Sequence, residues 1–195
     1  MKILIKSLFF AVIFLSQVYA KTPQTNPRID SYFEELSYEK VDFEAVGMVC
    51  ERVAVREVES IYPSANFRIV NGISYDDKKT TIGELDVVIF NKTTDKVEAV
   101  AEVKCWKSFK GALKKVKDQR VRFITNLNKN IKIYDKDGNI YSKAQFNQVQ
   151  KYFSISQAGG MNQEFDFELS LDFKELMDLR SRLLDCRAQG RCPRR

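Results

Sequence analysis

Glu84-Leu85-Asp86-Val87-Val88-Ile89-Phe90-Asn91, the polar link Lys92-Thr93-Thr94-Asp95-Lys96, and Val97-Glu98-Ala99-Val100-Ala101-Glu102-Val103-Lys104-Cys105-Trp106 decide the fold. Alternate side chains of a strand share a face. Leu85, Val87 and Ile89 therefore line one face of the first segment, and Val88 and Phe90 line the other. A strand that is apolar on both faces is covered on both, which puts this hairpin inside a sheet with helices above and below. Asp86 belongs to the Val88 and Phe90 face. Glu102, Lys104 and Trp106 share a face with Val100, opposite Ala101, Val103 and Cys105. Charges in such strands are costly unless they are paired or bound to a cation. With the turn centred near Thr94, Asp86 lands opposite Glu102, with Cβ atoms about 5 Å apart. Two carboxylates that close repel, so one holds a proton or a cation sits between them. Lys104 follows on the same face, about 7 Å further along. Two acids beside an ammonium suit a hard divalent ion and the water it activates. The same register also sets Glu84 opposite Lys104 as an ordinary ion pair, and a one-residue slip would part the two acids.

Outward from the hairpin, residues 41–61 read as a helix, with Val46, Cys50, Val53 and Val58 at near-helical steps and Tyr62-Pro63 as its stop. Residues 67–75 are strand-like. Residues 109–127 form a second helix through Leu113, Val116, Arg120, Phe123 and Leu127. Residues 131–134 and 140–142 flank Asp137-Gly138, a hairpin signal. Residues 151–156 and 165–171 read as strands and 173–184 as a final helix. The order is helix, three strands, helix, then further strands and a helix: an α/β domain over residues 41–195, with residues 21–40 as a polar leader.

Composition narrows the chemistry. Among 195 residues there is no histidine, which excludes Ser-His-Asp and Cys-His nucleophiles and any imidazole base. Residues 1–20 carry Lys2 and Lys6, an apolar run from Leu8 to Leu15 and then Val18-Tyr19-Ala20, the pattern of a secretory signal cut near Ala20. A secreted or periplasmic product without stable membrane insertion is expected. Export makes disulfides plausible for Cys50, Cys105, Cys186 and Cys192. The short segment between Cys186 and Cys192 favours pairing those two, leaving Cys50 with Cys105. The alternative is four thiols, two of them simply buried.

Asp86, a gap of hairpin length, then Glu102-Val103-Lys104 after an apolar strand resembles the signature of the PD-(D/E)XK nucleases, the restriction-endonuclease-like fold. The element order is similar too, over residues 41–156. Leu85 stands where that signature has proline. Gln119 with Phe123 four residues on resembles a Gln-x-x-x-Tyr element, with Phe123 in place of tyrosine. The resemblance implies a mixed central sheet flanked by helices (αβββαβ), followed by a C-terminal strand and helix. It also implies a metal-dependent nuclease, more an endonuclease than an exonuclease, acting on DNA or RNA. Asp86 and Glu102 would ligate Mg²⁺ or Mn²⁺ with the Val103 backbone carbonyl, and Lys104 would orient or deprotonate the attacking water. Glu44 would support the metal, with Glu51 as its rival one stretch further along the helix. Gln119 would orient Lys104 or contact the nucleic acid. A catalytically inactive module of the same fold, binding nucleic acid or a partner protein in the envelope, is the alternative.

From Lys104 to Arg122 there are eight basic residues and one acid, Asp118. Lys115, Gln119 and Arg122 fall on one helical face and are expected to meet a polyanion. Arg180, Arg182, Arg187, Arg191, Arg194 and Arg195 form a second basic cluster. Three other signals fail. Around Asp135-Lys136-Asp137-Gly138, the first and twelfth positions of a calcium loop are Ile133 and Ala144, so a turn is expected instead. Gly159-Gly160 lacks the lysine of a phosphate loop. Asn91-Lys92-Thr93 is a glycosylation sequon only in a eukaryotic host.

Overall fold

The computed structural model describes residues 26–77 and 80–193. The signal segment expected at residues 1–20, the start of the leader, Arg194 and Arg195 lie outside the described residues. Three strands form an antiparallel meander: β1 (Phe67–Asp76), β2 (Thr81–Asn91) and β3 (Val97–Val103). Helix α3 (Phe109–Leu127) follows. The hairpin β4 (Lys132–Asp135) and β5 (Ile140–Tyr141) then adds antiparallel to the outer edge of β1. After the single turn α4 (Lys143–Phe146), β6 (Lys151–Ser156) lies parallel to β3, and β7 (Phe167–Glu168) lies parallel to β6. The result is one mixed seven-stranded sheet in the order β5-β4-β1-β2-β3-β6-β7.

Both faces of the central hairpin are covered, as its two-sided apolar pattern requires. Helices α1 (Pro27–Ser37), α2 (Val46–Ile61) and α5 (Phe173–Ala188) pack Leu36, Val53, Leu176 and Leu179 into the cluster that holds Val87, Ile89, Ala99 and Ala101. On the other face Phe123 of α3 and Phe146 of α4 pack with Tyr75, Val88, Phe90 and Val100. Leu85 departs from the expected alternation. It joins Ile73, Tyr75 and Val88 rather than Val87 and Ile89. Beside it in β1, Gly72 takes a left-handed conformation (φ 77°) that disturbs the pleat where β1 pairs with this part of β2.

Several boundaries differ from the sequence reading; β2 already starts at Thr81 and β3 stops at Val103, short of Trp106. Residues 27–37 are a helix and not part of a loose leader. Asn26 caps it by accepting the Arg28 N–H, Pro27 opens it, and Ile29 and Leu36 are buried. The next helix starts at Val46 and not at Val41; before it, the Asp42 carboxylate accepts the Glu44 N–H at 2.8 Å and Phe43 is buried as a loop residue. Within 165–171 only Phe167–Glu168 joins the sheet, while α5 extends to Ala188 and starts at a capping box of Asp172 and Glu175.

Candidate active site

The β2–β3 register pairs Val88 with Val100 and Val87 with Ala101. Continued by one residue, it sets Asp86 across from Glu102. Here side-chain bonds take over from the ladder. Asp86 Oδ2 accepts the Val103 backbone N–H at 2.7 Å and Lys104 Nζ at 2.6 Å. Lys104 Nζ also donates to Val103 O at 3.0 Å and lies 3.9 Å from Glu102 Oε2. Asp86 and Glu102 are only 5% and 3% exposed, and neither Glu102 oxygen has a hydrogen-bond partner among the described residues. Among those residues, the ion pairs of Lys104 are with Asp86 and Glu102, so the alternative Glu84–Lys104 pair is not formed.

Four elements hold this point. From β1, Asn71 Nδ2 donates to Asp86 O at 2.8 Å, while its Oδ1 accepts from Arg52 Nη1 at 3.3 Å. Gly72 leaves room for Glu84: a Cβ there would stand 2.7 Å from Glu84 Oε1. Beyond β3, Lys104 N donates to Ile155 O of β6 at 2.9 Å, and Ser156 Oγ donates to Lys104 O at 2.7 Å. Gln157 Nε2 donates to Trp106 O at 2.8 Å. From α2, the Cys50–Cys105 disulfide ties the helix to the residue after Lys104, and Glu51 is the next residue of that helix. Cys186 and Cys192 are bonded as expected, and they clamp the end of α5.

The crowding of carboxyl groups shows in their protonation. Burial, then the Asp86 carboxylate, pushes the Glu102 carboxyl up to about 9 against the pull of Lys104. Burial, then Asp86, likewise pushes Glu51 up to about 8, and Glu84 is raised for the same reasons. Burial alone would lower the Lys104 ammonium, but Asp86, then Glu102 and Glu51, raise it instead. Lys104 therefore carries its proton at neutral pH, facing carboxyls that outnumber it. An all-oxygen donor set with orphaned, buried Glu102 oxygens fits a hard divalent cation. Among the described residues no three His, Cys, Asp or Glu side chains already form a metal cage. Glu51 and Glu84 line a cleft of about 350 Å³ with Asp42, Asn71, Gly72 and Lys136. Glu102 lines a cavity of about 180 Å³ under α3, with Val116, Tyr152 and Ser154.

Other expected residues are placed differently. Glu44 precedes α2, its side chain is 78% exposed, and it stands 3.9 Å from Arg180. It does not join the cluster; the acid that α2 brings to Asp86 is Glu51. That substitution follows from the later helix start, which sets position 44 in a loop. Gln119 turns its Oε1 into the interior without a partner and makes no hydrogen bond to Lys104 among the described residues. Lys115 and Arg122 are half-buried, with Arg122 Nη1 donating to Ile82 O at 3.4 Å. The exposed cations of this stretch are Lys107, Lys110, Lys114, Lys117 and Arg120, with Lys114 paired to Asp118 and Lys117 to Glu164. In the C-terminal basic cluster, Arg180 donates to Phe43 O and Glu44 O, and Arg187 donates to Glu39 O and Val41 O. Those two hold the loop before α2 rather than an outside anion. Asn71 escaped the sequence reading, and Glu84 entered it only as a rival partner for Lys104. An Asn-Gly pair such as Asn71-Gly72 within a strand-like stretch is a signal of local distortion that could have found Asn71.

Compared with protein-family models, curated proteins and solved structures, the chain has no match. Among the described residues no helix is long and apolar enough to cross a membrane.

Proposed function

We propose that this protein is a metal-dependent nuclease that hydrolyses phosphodiester bonds of DNA or RNA, built on a restriction-endonuclease-like core. The observation that carries the reading is the meeting of Asp86, Glu102 and Lys104 at the point where side-chain bonds replace the β2–β3 ladder. The order α2, β1–β2–β3, α3, β6 supports the core assignment. Asp86, Glu102 and the Val103 carbonyl would hold Mg²⁺ or Mn²⁺, with Glu51 in support. When bound, the ion would supply Lewis-acid charge and an activated water. Lys104, kept as an ammonium by Asp86, would orient that water and stabilise charge on the scissile phosphate. Asp86 fixes the amine through its 2.6 Å contact, and Asn71 fixes Asp86 through its main chain. In-line displacement at phosphorus depends on such positioned charge more than on covalent chemistry.

The test is a panel of divalent ions against labelled single- and double-stranded DNA and RNA. Cleavage with Mg²⁺ or Mn²⁺ should stop with chelator. Asp86→Ala, Glu102→Ala and Lys104→Ala should each lose at least about 10²-fold in rate. Full activity in all three variants refutes the reading. One observation favours a binding-only module instead: the Lys104 ammonium lies 2.6 Å from Asp86 and itself neutralises that carboxylate. That module would bind nucleic acid and cleave it with no ion of the panel.

A further inference from the structure

We infer that Trp106 is a stacking platform for an unpaired base, which makes single-stranded nucleic acid the ligand of this site. Trp106 is the only tryptophan of the chain, and it is 43% exposed. Its main chain is fixed while its ring is not enclosed. Gln157 Nε2 holds its carbonyl at 2.8 Å, Ser156 Oγ holds the Lys104 carbonyl at 2.7 Å, and the residue between them is disulfide-bonded to α2. The ring rests over the start of α3, where the missing Cβ of Gly111 would stand 3.7 Å from it. This large apolar ring lies outside the buried clusters of the core. Its position is two residues from Lys104, at most about 7 Å along the chain. Around it Lys107 and Lys110 are exposed, and Lys114 follows one turn on. An aromatic face flanked by ammonium groups is the chemistry that recognises single strands: bases stack on the ring and phosphates meet the cations. A duplex keeps its bases stacked and paired, so it offers the ring no base face without an unstacking cost. The platform serves the same site and so rests on the nucleic-acid reading above.

The test uses Trp106 as its own reporter, since no other tryptophan emits. With chelator present to prevent cleavage, the protein is titrated with a twenty-nucleotide oligo(dT), an oligo(rU), the oligo(dA)·oligo(dT) duplex and inorganic polyphosphate. Both single strands should quench the emission strongly and saturably, while duplex and polyphosphate leave it nearly unchanged. By anisotropy of labelled oligo(dT), Trp106→Ala should weaken binding about tenfold, the loss of one stacked base. Trp106→Phe should keep most of the affinity, and both variants should melt with the parent protein. Unchanged affinity in Trp106→Ala, equal quenching by polyphosphate, or duplex binding as tight as single strand would each overturn the platform. Cleavage measured separately with Mg²⁺ keeps the two readings apart. Quenching without cleavage leaves the platform standing and removes the hydrolase. Cleavage with an indifferent Trp106→Ala removes only the platform.

Discussion

Asp86 satisfies an amide, an ammonium and, through its own carbonyl, an asparagine, all inside a sheet. Its position beside Glu102 was legible in the sequence because a period of two leaves few places for a charge in an apolar strand. Glu51 was harder to place. Val41 and Phe43 extend the apolar periodicity backwards past the true start of α2, and Ala45 offers no side-chain cap to mark that start. At this scale, Glu51→Gln should lower the proposed Mg²⁺-dependent cleavage by about 10-fold or more. Glu44→Gln should stay within about twofold, since its side chain faces solvent and Arg180. Steady-state rates on one oligonucleotide decide between them. Gly72→Ala should cost about 1–2 kcal/mol for the left-handed backbone alone, read by urea denaturation. Glu84 must also move in that variant, because the new Cβ would stand 2.7 Å from its Oε1.

Among the elements, the β4–β5 hairpin shows how one carboxylate builds a turn. Asp135 accepts the Asp137 and Asn139 backbone N–H groups, Asn139 Nδ2 and the Tyr141 hydroxyl, all within 3.0 Å. Burial works against its charge, but the bonds from Asn139 and Tyr141 prevail and hold the carboxyl below its usual value. A lowered pKa contributes stability that is present above the unfolded value and is lost as pH falls through the folded one. Asp135→Ala should therefore cost about 1–3 kcal/mol at pH 7. The difference from the parent protein should shrink as pH falls below about 4, measured as urea midpoints at both pH values. The turn itself was legible from Asp137-Gly138, while the hub at Asp135 was not, because it depends on Tyr141 returning across the hairpin. The first helix was missed for another reason. Pro27 reads as a breaker unless Asn26 is recognised as the cap in front of it, and the helix packs chiefly on α5, far along the chain. Between α1 and α2, Glu39 pairs with Arg52 at 2.6 Å and with Arg56 at 2.6 Å, mostly out of solvent. Glu39→Ala leaves two guanidiniums short of their acid and should cost about 1–3 kcal/mol in chemical denaturation.

For the molecule as a whole, the strand order could not be read from the chain. The β4–β5 hairpin follows α3 in sequence yet extends the sheet at β1, while β6 returns to β3. Nothing local distinguishes those two edges, and the choice follows from which apolar faces remain uncovered. The longer disulfide spans 55 residues and joins α2 to the end of β3 across this assembly. Replacing both Cys50 and Cys105 by serine should lower unfolding free energy by about 2–4 kcal/mol, with Cys186 and Cys192 left intact as an internal reference. The two sulfurs belong to the direct chain neighbours of Glu51 and Lys104. Reducing that bond would leave the β2–β3 pairing that aligns Asp86 with Glu102, but it would remove the covalent tether between Lys104's strand and the helix that carries Glu51.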